Sequence, residues 1–225
     1  MLLFTLTAAA DVPAVEKLPE MAKFVNSLKG VVPHTVGVDN YEPIPRGRRL
    51  LDERAEQIFE RIVENVFDSP STVRLRTCAI CGIKTSIENR VVYLEPSRID
   101  EIYGSSDVSD PESLAAFIIA HQISMIIYDA YAEPHGYSIN GNPIFYRDTY
   151  EGTWPIGHYV RKGNPLAHME IDTYALLVMH EIGMKAPIDV ITYLERYDVS
   201  LPQALNKVRD QRKQNLVKMI RAIWN

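Results

Sequence analysis

The sequence predicts an α+β fold that is mainly helical, with a small β-sheet packed on one buried helix and further helices towards the C-terminus. Two observations predict it: apolar residues recur at helical spacing in several segments, and two runs of β-forming residues lie together within 73–94. With 225 residues, 46% of them hydrophobic, the chain can bury a core. The expected parts are an N-terminal arm at 1–49, a main domain at 50–200 and a C-terminal helix at 201–225.

Charge and hydropathy narrow the classes of function. The formal net charge is −5, and acidic and basic residues are interspersed, which argues against a protein that binds nucleic acid. No apolar stretch reaches the roughly 18–20 residues of a membrane span without a polar break. The closest stretch is Leu114–Ile127, which His121 and Gln122 interrupt. We therefore expect a soluble protein without a transmembrane segment.

The N-terminal arm leaves two interpretations open. Residues Met1–Asp11 resemble the end of a secretory signal, because a short apolar run precedes small residues, but they lack its basic beginning. They are either a signal remnant on an exported or periplasmic protein, or a strand or helix on the core of a cytoplasmic one. Proline and glycine recur through 11–49 and predict a wrapping arm or flexible lead-in.

The main domain begins with an amphipathic helix, because apolar residues recur at helical spacing from Leu50 to Phe67 before Pro70. The runs Val73–Ile83 and Arg90–Leu94 are rich in β-forming residues and predict the small sheet. A short helix is expected over Ser97–Tyr103.

A long helix is expected from Pro111 to Tyr131, because Asp110 and Pro111 supply an N-cap and a proline at the first helical position. It is apolar nearly all round, as is typical of a helix in the middle of a domain, so His121 should lie in the core. Glycine and aromatic residues then predict a long loop over 133–165, and loops of this length are commonly functional. Its candidate cleft residues are Tyr146, Tyr150, Trp154, His158 and Tyr159.

Three more helices follow, at Pro165–Met184, Ile188–Tyr197 and Leu201–Trp224. The last is amphipathic, and we expect its apolar stripe to pack on the main domain. Contact between its basic side and an anionic membrane surface is the alternative.

The two cysteines, Cys78 and Cys81, form a Cys-x-x-Cys pattern. Such a pair is found in redox sites, in halves of zinc sites, in local disulfides and as buried thiols. No second pair completes a zinc ribbon, and the pair lies in a β-like run and not at the start of a helix. Buried thiols or an incidental disulfide are favoured, and a thiol redox protein remains a further option.

Two polar patterns lie on the long helices: His121-Gln-Ile-Ser-Met125 and His168-Met-Glu-Ile-Asp172. Residues four apart share one face of a helix, so an H-E-x-x-H helix binds zinc through two imidazoles while its Glu deprotonates a bound water. Here Gln122 stands at the Glu position and Met125 at the second His. A thioether is a soft ligand and an amide has no titratable proton, so metal affinity and general-base catalysis should both be weakened.

These patterns, with the helix at 50–67 and the strand run that begins at Arg90, resemble the gluzincin metallopeptidases of the branch that contains the CAAX prenyl protease and the HtpX-like peptidases. The motifs of that branch are H-E-x-x-H and E-x-x-x-D. The resemblance implies a zincin-like core over about residues 50–200.

The resemblance also implies roles for single residues. His121 takes the place of the first zinc ligand, Gln122 that of the catalytic base and Met125 that of the second ligand. His168 falls where the family has its ligand Glu. Asp172 falls on the aspartate that supports a ligand imidazole by hydrogen bonding. A purely structural interpretation stays open, in which a core histidine hydrogen-bonds a carboxylate.

Two functions follow. The favoured one is a catalytically inactive metallopeptidase-like protein whose cleft binds a polypeptide or a protein partner. No cofactor is expected, because His121 and His168 would give zinc two protein ligands where catalytic zinc normally has three, so that any zinc binding is weak. The alternative is an active zinc-dependent hydrolase with a non-standard metal sphere of His121, His168 and either Asp172 or Glu170.

A second near-motif, His180-Glu-Ile-Gly-Met184, also ends in Met. His180 lies twelve residues after His168, which places it about 120° around the helix. It fits better in the last helical turn, where histidine is favourable.

Overall fold

A computed structural model of the chain describes residues 15–28, 53–67, 73–77, 82–86, 90–135, 138–139, 142–143, 165–197 and 203–225. The described part is mainly helical and contains a small three-stranded sheet, which confirms the predicted α+β class.

The N-terminal region contains a helix where an arm was expected. After a 3-10 turn at Val15–Lys17, helix α1 spans Leu18–Ser27, with Met21 and Val25 buried. Pro19 lies in its first turn, where the missing N–H would have no partner in the helix anyway. A proline counted as a helix breaker in the sequence therefore helps to begin this helix.

Helix α2 spans Glu53–Val66 and confirms the predicted amphipathic helix. One side of it is buried against the core, and the other carries its charged residues. The buried residues are Ala55, Ile58, Phe59, Ile62, Val63 and Val66.

The sheet has three strands where two β-forming runs were predicted. They are β1 (Arg74–Thr77), β2 (Ile83–Ser86) and β3 (Val91–Leu94), in the order β1-β3-β2. The predicted run Val73–Ile83 was wrong in extent, since it contains β1 and only the first residue of β2. Gly82 precedes β2 with φ +62°, a conformation that glycine adopts without strain. Strand β3 is central and fully buried, with β1 parallel and β2 antiparallel to it.

Helix α3 spans Pro96–Gly104, as predicted, and helix α4 spans Pro111–His135, four residues longer than predicted. Asp110 caps α4: its Oδ1 accepts the Ser113 N–H at 3.1 Å and its Oδ2 accepts the Ser113 hydroxyl at 3.0 Å. The stretch Pro111–Tyr128 is long and apolar enough to cross a membrane, and 89% of it is buried within the fold. The core of the described part forms around this helix.

The remaining helices are α5 (Pro165–Glu181), α6 (Asp189–Tyr197) and α7 (Gln203–Trp224). Helix α5 packs along α4, and it also contacts α1 and α7. It therefore occupies the middle of the helical layer. Between α4 and α5, residues 138–139 and 142–143 form the two short antiparallel strands β4 and β5.

Helix α5 ends three residues earlier than predicted, because Gly183 has φ +70° and turns the chain. The Gly183 N–H donates to the His180 carbonyl at 3.0 Å, and the Met184 N–H donates to the Met179 carbonyl at 2.9 Å. His180 lies in the last turn, as predicted, and its ring meets the Trp224 ring edge-on at 5.6 Å.

Several predictions concern residues outside the described part. These are the signal-like start Met1–Asp11, the pair Cys78 and Cys81, and the candidate cleft residues Tyr146, Tyr150, Trp154, His158 and Tyr159.

A Gly183→Ala variant is expected to lower the free energy of unfolding by about 1–2 kcal/mol, because an alanine at positive φ brings its Cβ close to the backbone. Space is not the cause, since the nearest atom to an added Cβ is Arg61 Nη2 at 3.9 Å. Gly104→Ala is the control, because its Cβ would meet nothing within 4 Å. Urea unfolding measures both, and an equal effect of the two substitutions would contradict the explanation.

Candidate functional site: a buried polar cluster

Helices α4 and α5 bring together two of the residues singled out from the sequence. His121 lies in the middle of α4 and Asp172 in the first half of α5, and both side chains are fully buried. The His121 Nδ1 atom is 3.0 Å from the Asp172 Oδ1 atom.

Helix α7 adds a third residue that the sequence interpretation missed. Arg212 donates from Nε to Asp172 Oδ2 at 2.5 Å and from Nη2 to Oδ1 at 2.7 Å. This two-pronged pairing suits the planar guanidinium, and the Arg212 side chain is only 3% exposed. The sequence contained one signal for a buried Arg212, since this residue lies midway between Val208 and Leu216 at helical spacing. An arginine there interrupts the apolar stripe of α7.

The three residues, which we call the buried cluster, have no net charge near neutral pH. Burial alone would raise the pKa of Asp172, but the Arg212 charge and hydrogen bonds outweigh it and lower that pKa to about 2. Burial lowers the pKa of His121, and the Asp172 carboxylate only partly opposes this. The cluster therefore holds an ionised aspartate, a charged arginine and a neutral imidazole.

Gln122 joins helix α4 to the sheet. The Thr85 hydroxyl of β2 lies 2.9 Å from the Gln122 Oε1 atom and 3.0 Å from its main-chain oxygen, and the two oxygens share its one hydrogen. Both residues are buried. Among the residues that the structure describes, Gln122 Nε2 has no hydrogen-bond partner. Gln122 thus carries an amide that anchors strand β2 to helix α4.

Among the side chains that the structure describes, the other ligand candidates do not complete a metal site. Met125 is 1% exposed and belongs to the apolar core. His168 lies in the first turn of α5, and its side chain is outside the described part. Glu170 hydrogen-bonds Tyr128, and burial raises its pKa against the effects of Lys17 and Tyr128. Residues two apart point to opposite sides of a helix, so Glu170 is directed away from Asp172.

The described donors do not fit a catalytic zinc centre, which needs three protein ligands and an open position. No group of three His, Cys, Asp or Glu side chains in the described ranges is placed to hold a metal ion. Both oxygens of Asp172 already accept from Arg212. A divalent cation beside His121 would also be repelled by the guanidinium, for the same reason that Arg212 disfavours the protonated imidazole.

Comparisons with protein-family models, with curated proteins and with solved structures find no match to this chain. The fold and the cluster therefore define the class: a mainly helical α+β domain in which three helices share a buried His–Asp–Arg cluster.

Arg212→Met is expected to lower the free energy of unfolding by about 3–5 kcal/mol, because it leaves the Asp172 carboxylate buried without its cation. Combining it with Asp172→Leu should recover most of the loss, since no uncompensated charge remains. Arg221→Met, an exposed position on the same helix, is the control and should change stability by less than about 0.5 kcal/mol. A double variant as unstable as the single one would argue against charge compensation.

Stability should fall with acid in two windows. Folding lowers the pKa of His121 from 6.5, so the unfolded chain takes up this proton at a higher pH than the folded chain does. The free energy of unfolding therefore has its full value above pH 6.5 and decreases as the pH falls below it. Folding lowers the pKa of Asp172 from 3.8 to about 2, so the stability that its carboxylate contributes is lost as the pH falls between those two values. His121→Gln should abolish the first window, whereas His180→Gln, at the exposed end of α5, should keep it. Unfolding at a series of pH values measures both, and a first window unchanged in His121→Gln would assign it elsewhere.

Proposed function

We propose that this chain is a catalytically inactive metallopeptidase-like protein with a zincin-like core, and that it binds a polypeptide or a protein partner. The observation that carries the proposal is the buried cluster. By the resemblance, His121 stands at the first zinc ligand and Asp172 at the aspartate that supports a ligand imidazole. Both side chains are fully buried, and Asp172 is paired with Arg212.

The arrangement of elements supports a zincin-like origin. A small sheet packs on the helix that carries the altered motif, through the contact between Thr85 and Gln122. The next long helix, α5, supplies an aspartate to the first histidine of that motif. The gluzincin resemblance implies both relations. They connect residues far apart in the sequence, so neither follows from helix periodicity.

Three properties support the absence of catalysis. An amide at Gln122 removes the general base, which costs about 10²–10⁴-fold in rate. His121 and Gln122 are 0% exposed, so a substrate has no access to either side chain. The Arg212 charge opposes a metal ion at this place.

Binding of a partner is the function that remains for a metallopeptidase-like fold without catalysis. The aromatic segment 133–165 suits it in composition, because tyrosine and tryptophan provide contact area at a small cost in conformational entropy. The proposed partner is a polypeptide, since the family's cleft accommodates one.

The purified full chain is expected to contain much less than one zinc per molecule and to leave casein intact. A chelator should not change its Tm, because no bound metal contributes to folding. Stoichiometric zinc, with hydrolysis abolished both by chelator and by His121→Ala, would instead establish the alternative of an active metallohydrolase.

Partner binding has its own readout in the same preparation. The chain has two tryptophans, Trp154 and Trp224, so a Trp224→Phe variant leaves the aromatic segment as the only source of tryptophan fluorescence. Addition of an unfolded polypeptide, such as reduced and carboxymethylated lactalbumin, should change that fluorescence saturably. An unchanged spectrum at high polypeptide concentration would contradict binding at this segment.

A further inference from the structure

A groove between helix α2 and strand β1 lies apart from the buried cluster and encloses about 440 Å³. Its apolar lining consists of Phe59 and Val63 from α2 with Leu75 from β1 and Val73, the residue before β1. Phe59, Val63 and Val73 belong to the core, and Leu75 packs against it. The bottom of the groove is therefore rigid and apolar.

One wall of the groove is the edge of a sheet. Strand β1 is an outer strand, and β3 is its only strand neighbour in the part of the chain that the structure describes. The Arg74 N–H donates to the Arg90 carbonyl at 2.9 Å, so the backbone groups of Arg74 and Arg76 point towards β3. The backbone groups of Leu75 and Thr77 point in the opposite direction, away from β3. Such an edge is a template for one more strand.

The two walls have similar lengths. On α2 the lining extends from Glu56 to Glu64, which is about 12 Å along the helix axis. The four residues of β1 extend about 13 Å. A helix and a strand that line one groove over this distance leave an elongated space between them, and this shape suits an extended segment of polypeptide.

The helix wall carries a row of negative charge. Glu56, Glu60 and Glu64 line the groove at four-residue intervals, about 6 Å apart along the axis. Among the described residues, none of the three has an ion-pair partner. Arg74 and Arg76 line the strand side, so the groove has three acidic and two basic side chains and a net charge of −1, with the acidic ones all on the helix wall. Like charges four apart also weaken an isolated helix, and a cationic partner would relieve this repulsion.

We propose that this groove binds an extended polypeptide segment in which basic and apolar residues alternate. The segment adds to the free edge of β1 as a further strand, with hydrogen bonds to the outward backbone groups of Leu75 and Thr77. Its apolar side chains cover the lining formed by Phe59 and Val63. Its basic side chains, which repeat about every 6.6 Å on one face of a strand, match the spacing of the glutamates.

This inference goes beyond the proposed function, because it uses no residue of the buried cluster. The two proposals also fail separately. Zinc-dependent hydrolysis would refute inactivity and leave the groove as it is, whereas a groove without affinity for a basic strand would leave the cluster as it is.

The probe is a fluorescein-labelled peptide that alternates lysine and valine, added to the full chain and followed by fluorescence anisotropy. We expect saturable binding that weakens as salt is added, since the charge pairs are exposed. Glu60→Lys should weaken binding about tenfold, because it replaces an attraction by a repulsion. Glu16→Lys makes the same change in net charge at an exposed position away from the groove and should leave binding unchanged.

The strand geometry has a separate test. Leu75→Pro removes an outward N–H and leaves the ladder to β3 intact, as prolines on outer strands do, so it should abolish peptide binding with little change in far-UV circular dichroism. If that variant unfolds, amide hydrogen exchange of the unaltered chain gives the answer. The Leu75 and Thr77 amides should exchange quickly in the free chain and become protected when the peptide is bound.

Four results would each overturn the proposal. The first is equal binding of a peptide of the same composition with its lysines in one block. The second is protection of the Leu75 and Thr77 amides before any peptide is added, and the third is no protection of these amides in the complex. The fourth is a concentration-dependent dimer that protects the same two amides. The last result would assign the groove to a second copy of this chain.

Discussion

The pairing of the Asp172 carboxylate with Arg212 is the interaction on which the arrangement of the helices depends. A carboxylate in the interior costs several kcal/mol unless a cation and hydrogen bonds compensate it, and Arg212 supplies both from helix α7. His121 of helix α4 contacts the same carboxylate. Apolar side chains pack in many registers at similar free energy, but only one register of these three helices brings the charged groups into contact.

The compensation that stabilises the interior also makes these side chains less basic. Burial lowers the pKa of His121, both oxygens of the Asp172 carboxylate accept from Arg212, and Gln122 carries an amide, so these three described residues are poor proton acceptors near neutral pH. The groove beside β1 has the opposite character, since Glu60 and Glu64 are exposed there. This contrast is the reason for proposing recognition at the surface.

Local signals explain which elements were predictable. The cap at Asp110 and the apolar periodicity of α2 are properties of neighbouring residues, so α2, α3 and α4 were expected close to their observed positions. Helix α1 was missed because a proline breaks a helix or begins one according to its position. Strand β2 was missed because a run of β-forming residues does not show where the chain turns, and Gly82 marks that turn only when its φ is known.

The sequence by itself determined the class of the fold and the helices that carry His121 and Asp172. Only the tertiary structure decided that His121 and Asp172 meet, that Arg212 joins them, and that β3 is the one strand beside β1 among the described residues. Arg212 lies forty residues from Asp172 on a different helix. Contact over such a separation depends on how whole helices pack against one another, and no local pattern of residues encodes that packing.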